Sequence, residues 1–128
     1  MSEPENLLIA ALFVALGGAI GALLRFGAYK IIDSSEFPWA TLSVNVIGCF
    51  LAAFLMFGFG ELIPYGMKNF LFVGVFGAFT TMSAMSLDTL DLMNSGNHFL
   101  AMSNAVINVV LCVLGAMAGS ALAEAVIA

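Results

Sequence analysis

Four long stretches without a charged side chain constrain the fold of this chain more than any other feature. They cover residues 7–24, 37–60, 69–87 and 99–123, and the charged residues gather between them. Each stretch approaches or exceeds the roughly 20 residues that cross a hydrocarbon core as a helix. Because 62% of the residues are hydrophobic and 9% are charged, a soluble domain of this length could not bury so much apolar surface.

The pattern predicts an all-α membrane protein with one transmembrane domain over residues 1–128. We expect four spans, at about residues 7–30, 37–60, 68–90 and 99–125. A soluble helical bundle is disfavoured because its helices would show a polar face at every turn. The acidic flank with Glu3 and Glu5 is also unlike the basic start of a signal peptide.

The basic residues in the loops predict the orientation only weakly. One side of the membrane carries Lys68, and the other carries Arg25 and Lys30. Since topology follows Lys and Arg in short loops, a difference of one charge favours insertion in both orientations. Two oppositely oriented copies could then pair as an antiparallel homodimer, which would imitate the inverted repeats of transporters. The alternative is a single orientation set by the extra charge.

Polar and small residues recur at helical spacing inside the spans, so that three spans each carry one stripe. These stripes are Gly18, Gly21 and Arg25; Thr41, Asn45 and Gly48; and Asn104, Asn108, Cys112, Gly115 and Gly119. We interpret the glycines as sites of close helix packing. The buried asparagines indicate either a pathway or a hydrogen bond between helices.

The third span has a composition that favours a break near its middle. Two glycines and the pair Thr80 and Thr81 lie there, and hydroxyls and glycine both allow non-helical backbone. We expect the break between Gly77 and Thr81. Such a break exposes carbonyl oxygens that bind a cation and N–H groups that favour an anion.

The residue types in the chain argue against enzymatic catalysis and against nucleic-acid binding. No catalytic set of side chains can be assembled from buried positions, and no basic patch for nucleic acid is present. Cys49 and Cys112 are expected to be small apolar fillers, and His98 a solvated loop residue. Hydrogen-bond donation and backbone coordination remain, which suit the permeation of a small ion.

Three segments resemble the Fluc (CrcB-type) family of small fluoride channels. Residues 17–26 are similar to the family's glycine-rich first helix that ends in Arg. Residues 41–50 are similar to its second-helix motif with a central Asn, and residues 74–86 to its third-helix motif around Thr-Thr. The three segments occur in order, and with the length and helix count the resemblance covers nearly the whole chain.

The resemblance implies a passive, fluoride-selective channel in the cell membrane that exports fluoride. It implies an antiparallel dual-topology homodimer, surrounded by lipid, with two fluoride pathways and a structural Na⁺ near the centre. The carbonyls of Gly77 and Thr80 from both subunits would bind Na⁺. The fluoride pathway would include Asn45 as a hydrogen-bond donor, Thr41 on the same stripe, and Arg25 at a pore entrance, with hydroxyls from Thr81 and Ser83.

Two methionines depart from the family pattern. Met82 and Met85 stand where the family has phenylalanines whose ring edges face the ions. A phenyl edge is weakly positive, whereas a thioether is flexible and polarizable. The methionines therefore either line a modified path or fill gaps in a pore with altered or lost conduction. In the fourth span, Asn108 stands where relatives carry hydroxyls. After the third uncharged stretch, Asp88 lies near a position where relatives often have an acid. The alternative for Asp88 is a solvated helix end.

Two other functions compete with a channel. A small multidrug transporter also has four short helices, but its first helix carries an acid for proton coupling, and the first span here has none. A structural subunit without transport would have no use for three polar stripes. Neither reading makes the chain an enzyme.

Overall fold

The computed structural model describes residues 6–127, and these residues form helices and connecting loops only. The flank with Glu3 and Glu5 lies outside the described residues. Four helical spans are long and apolar enough to cross a membrane: Leu7–Ile31, Trp39–Phe59, Tyr65–Asn94 and His98–Ile127. We name the first two α1 and α2, and the last one α5. The predicted all-α architecture with four spans is confirmed.

The third span consists of two helical pieces. The first piece, α3 (65–79), contains eight residues of the wider π-helix at Asn69–Phe76, a form that is rare in proteins and often occurs at functional sites. The second piece, α4, is Met82–Asn94. Between them, Thr80 (φ −83°, ψ 151°) and Thr81 (φ −153°, ψ 114°) have extended backbone, whereas Gly77 has helical dihedral angles.

The two threonine hydroxyls account for the change in backbone direction. The Thr80 hydroxyl donates to the Phe76 carbonyl at 2.9 Å, within its own turn. The Thr81 hydroxyl accepts from the Ala84 N–H at 3.1 Å and so provides the N-cap of α4. Threonine is among the preferred N-cap residues because its oxygen satisfies an amide that the helix cannot.

Helix α1 packs against α3 through glycines. A Cβ atom at Gly17 would collide with the Phe70 carbonyl oxygen, and one at Gly21 with the Val75 carbonyl oxygen. The predicted packing role of Gly21 is therefore confirmed. The prediction for Gly18 is wrong, because a Cβ there would meet nothing within 4 Å. Adjacent residues point about 100° apart around a helix, so only Gly17 and Gly21 face α3.

Helix α2 also packs against α5 through glycines. A Cβ atom at Gly119 would collide with the Phe50 carbonyl oxygen, and one at Gly115 would lie 3.3 Å from the Val46 carbonyl oxygen. Close approach of two backbones is the usual reason for small residues between membrane helices. The packing interpretation of these two glycines is confirmed, and the approach brings the polar stripes of α2 and α5 together.

Candidate functional site

Three asparagines form a buried hydrogen-bonded row where α2, α4 and α5 meet. Asn45, Asn104 and Asn108 are 7%, 0% and 3% exposed. The Asn45 amide donates to Asn108 Oδ1 at 3.0 Å, and the Asn108 amide donates to Asn104 Oδ1 at 2.9 Å. The row continues from the Asn104 amide to the Thr89 hydroxyl at 2.9 Å. The row therefore joins helices that are far apart in the sequence.

Asn45 also holds the extended backbone between α3 and α4. Its Oδ1 accepts from the Thr81 N–H at 2.7 Å, and its Nδ2 donates to the Thr81 carbonyl at 3.3 Å. Together with the bond to Asn108, both amide hydrogens of Asn45 are used. Among the described residues, no buried side-chain nitrogen or oxygen lacks a partner, as an apolar membrane interior requires.

The same contacts redirect two backbone amides away from helical acceptors. In a continuous α-helix the Thr81 N–H would bond to the Gly77 carbonyl, and the Ala84 N–H to the Thr80 carbonyl. Here the Thr81 N–H donates to Asn45 Oδ1 and the Ala84 N–H donates to the Thr81 hydroxyl. The carbonyls of Gly77 and Thr80 have therefore lost their α-helical donors.

A mostly apolar groove of about 320 Å³ opens beside the asparagine row. Its wall contains six of the residues that the sequence analysis selected: Asn45, Thr80, Thr81, Met82, Met85 and Asn108. Both cysteines, Cys49 and Cys112, also line it, together with two valines of α5. The structure thus brings the central part of the predicted set to one open surface of the chain.

The two methionines of the groove differ in their surroundings. Met82 is 73% exposed, whereas Met85 is 9% exposed. The Thr89 hydroxyl lies 3.7 Å from the Met85 sulfur and donates to the Met85 carbonyl at 2.8 Å. Met85 is therefore held in the packed interior, while the Met82 side chain is exposed at the groove.

Thr41 belongs to a second polar cluster near the end of the spans. Its hydroxyl donates to Asp88 Oδ2 at 2.7 Å and lies 3.1 Å from the Tyr29 hydroxyl. These three residues line a separate cavity of about 200 Å³. Thr41 is buried on the same helix as Asn45, as predicted, but it does not line the groove. Asp88 is half-buried and hydrogen-bonded rather than merely solvated.

The remaining predicted residues lie around the groove rather than in its wall. Ser83 is exposed, with its hydroxyl 3.1 Å from the Thr81 hydroxyl. Gly77 lines a neighbouring cavity of about 180 Å³ together with Thr80. Arg25 is half-buried on α1 and lines neither cavity.

Asn104 belongs to the polar stripe predicted for the fourth span, and the expected hydrogen bond between helices is present, because its amide donates to the Thr89 hydroxyl. Two residues that complete the polar contacts, Thr89 and Tyr29, were not selected from the sequence. For Tyr29 and Thr89 the contact depends on the neighbouring helix, which spacing along one helix does not reveal.

Comparison with known proteins identifies the family. Residues 12–120 match the family described as CrcB-like protein, Camphor Resistance (CrcB). The chain belongs to the CrcB family. This match confirms the resemblance drawn from the three segments. With its four apolar helices, the chain is a multi-pass membrane protein.

Curated relatives support the same assignment over most of their length. A protein of Magnetococcus marinus is 45% identical over 112 residues, which are 84% of this chain and 91% of the relative. A protein of Aeromonas salmonicida is 42% identical over 113 residues, 84% and 90% of the two chains. One of Parabacteroides distasonis is 37% identical over 125 residues, 94% and 97% of the two. Each is named fluoride-specific ion channel FluC.

Proposed function

We propose that this chain is a passive, fluoride-selective channel of the cell membrane and not an enzyme. The observation that carries the proposal is the Asn45 amide, which is buried at membrane depth, opens on a groove and holds an interrupted helix. Relatives at 37–45% identity named as fluoride channels support it. Hydrogen-bond donors without a fixed positive charge replace part of an anion's hydration and still allow the anion to leave.

The hydrogen bonds of Asn45 suggest how fluoride would bind in the groove and pass through it. The bond from Nδ2 to the Thr81 carbonyl is long, at 3.3 Å. Fluoride in the groove would replace that carbonyl as acceptor, so the donor would exchange one partner for another and would not be left bare. The donor keeps a hydrogen bond throughout, and the cost of the exchange is that the Thr81 carbonyl gives up this long bond. The groove residues Thr81, Met82, Met85 and Asn108 would then line the path. Thr41, Ser83 and Arg25 would lie on its approaches, where Arg25 attracts anions.

We propose that the active form is an antiparallel homodimer with dual topology. In a single chain, the groove would present Asn45 and Thr81 to lipid, which offers no hydrogen bonds. A second copy across the groove would enclose the path with protein. The difference of one basic charge between the two faces of the membrane, with Lys68 against Arg25 and Lys30, is small enough for both orientations to insert.

The interrupted third span would bind a structural Na⁺ in that dimer. The carbonyls of Gly77 and Thr80 have lost their helical donors, so their oxygens suit a hard cation. Two copies would contribute four such oxygens. The ion would supply positive charge that offsets the repulsion among the carbonyls and so stabilise the dimer centre.

Two alternative functions compete with selective fluoride conduction. The channel fold could have altered or lost conduction, because Met82 and Met85 replace the usual phenylalanines. Proton-coupled export of the small multidrug type is disfavoured, because α1 contains no Asp or Glu.

A flux assay distinguishes these readings. Purified protein is reconstituted into liposomes loaded with potassium fluoride, efflux is started with valinomycin, and fluoride is read with an electrode. Chloride-loaded and protein-free liposomes are the controls. We expect rapid fluoride loss without chloride loss. Absence of fluoride loss from well-folded dimers would overturn the channel function and leave the fold intact.

A further inference from the structure

The groove contains a cluster of sulfur, and its two thiols have no part in the fluoride path proposed above. Cys49, Cys112, Met82 and Met85 all line it. The two thiols, of α2 and α5, are neighbours in its wall. Both cysteines are partly accessible.

The helix packing explains why the thiols meet. Cys49 follows Asn45 by four residues on α2, and Cys112 follows Asn108 by four residues on α5. Residues four apart lie on one helical face, and the side chains of Asn45 and Asn108 are 3.0 Å apart. The thiol pair is therefore the next contact along the same interhelical seam.

A third sulfur ligand is within the same groove. Met82 is 73% exposed, and its long, unbranched side chain can reorient. Met85 is a poorer candidate, because its sulfur lies 3.7 Å from the Thr89 hydroxyl and its side chain is packed. Two thiols and one exposed thioether form a donor set that is selective for soft cations.

We propose that the groove binds one soft monovalent metal ion, Cu(I) or Ag(I), between the sulfurs of Cys49 and Cys112, with Met82 as a third ligand. The ion displaces the proton of one thiol, which leaves to water, while the other thiol keeps its proton and binds the ion through a sulfur lone pair. One positive charge replaces another, so the net charge of the site does not change. This matters because an uncompensated charge inside a membrane is costly.

Because the metal site lies in the groove, metal binding would also affect fluoride transport; this step rests on the proposed function. Cys49 lies one helical turn from Asn45, and Cys112 one turn from Asn108, in the wall of the same groove. A bound metal ion would occupy the path proposed for fluoride. Soft metal ions would then inhibit fluoride efflux, and removal of the metal by a thiol would restore it.

Silver binding tests the site without any transport measurement. Purified protein in detergent is dialysed against Ag(I), and bound silver is counted by mass spectrometry. We expect one silver ion per protomer in the wild type, loss of binding in Cys49→Ser and in Cys112→Ser, and weaker binding in Met82→Leu. Met117→Leu is the matched control, because Met117 is 61% exposed but does not line the groove, and it should bind like the wild type.

Two results would overturn the site. One is a wild-type protein that binds no silver, and the other is serine variants that bind as much silver as the wild type. Because a serine variant could fail to fold, the wild type is also tested by maleimide labelling, from which Ag(I) should protect both thiols. Equal labelling with and without Ag(I) would also refute the proposal. If the protein binds silver but does not conduct fluoride, the metal site stands and the channel function falls.

Discussion

Replacing Asn45 with aspartate tests the centre of the site with a change of one group. The amide NH₂ becomes an oxygen, and the shape of the side chain is kept. The bonds to Asn108 Oδ1 at 3.0 Å and to the Thr81 carbonyl at 3.3 Å are lost. In each contact an oxygen would then face an oxygen. The bond from the Thr81 N–H can remain, so the extended backbone keeps one of its anchors.

The structural cost follows from these contacts. Side-chain hydrogen bonds between membrane helices contribute about 0.6 kcal/mol on average, with a maximum of about 1.7. An acceptor left buried without a donor costs about 1–3 kcal/mol. With two lost bonds and two facing acceptors, we expect the free energy of unfolding in detergent to fall by about 2–5 kcal/mol.

The effect on fluoride is larger if aspartate is ionised in the groove. A unit negative charge about 4 Å from an anion opposes it by about 4 kcal/mol at an effective dielectric constant near 20. That energy corresponds to roughly a thousandfold lower occupancy. Fluoride efflux from liposomes should therefore fall to the level of protein-free vesicles.

Asn97→Asp is the matched control, because Asn97 is exposed in the loop before α5. It makes the same chemical change and should keep both flux and stability. If Asn45→Asp equalled this control in both measurements, the role assigned to Asn45 would be refuted. If it lost stability but kept full flux, Asn45 would be a structural residue outside the anion path.

Three further predictions use the same preparations. Gly21→Ala should lower the free energy of unfolding by about 1–3 kcal/mol through collision with α3, while Gly18→Ala, on an open face of α1, should not; equal values for the two variants would contradict the packing described here. Met82→Phe should increase fluoride efflux, because an exposed ring edge is weakly positive. Met85→Phe should increase it less, because Met85 is 9% exposed and a larger ring overpacks its site. Identical rates in both variants and the wild type would show that neither side chain lines the path. A terminal tag probed from both faces of the membrane should be labelled in comparable fractions, and labelling from one face alone would reject dual insertion.

The architecture and the centre of the site follow from patterns within single helices. Uncharged stretches of membrane length predict four spans because the hydrocarbon core sets their length. Asn45 and Asn108 were selected because amides inside such stretches need partners. Both do line one groove, and their side chains bond to each other.

Contacts that depend on how one helix is rotated against another could not be predicted. Gly17 rather than Gly18 faces α3, a difference of one residue that glycine content alone does not resolve. The bond between Thr41 and Asp88 joins residues on two helices, and their registers are set by packing over the whole length. The π-helical turns of α3 also shift the phase of the residues after them, including the threonine pair.

The asparagine motif of α2 and the threonine pair of the third span act as one unit. Extended backbone inside a membrane is tolerated only if its amides find partners. The Thr81 N–H finds one in Asn45 Oδ1, and the Thr81 hydroxyl caps α4 through the Ala84 N–H. The two side chains that make the interruption possible are thus the ones that take donors from the carbonyls of Gly77 and Thr80. The Asn45 amide therefore both stabilises the interruption and leaves the Gly77 carbonyl without its helical donor, while the Thr81 hydroxyl does the same for the Thr80 carbonyl. A substitution at Asn45 should accordingly weaken Na⁺ binding as well as fluoride passage, although Asn45 would contact only the anion.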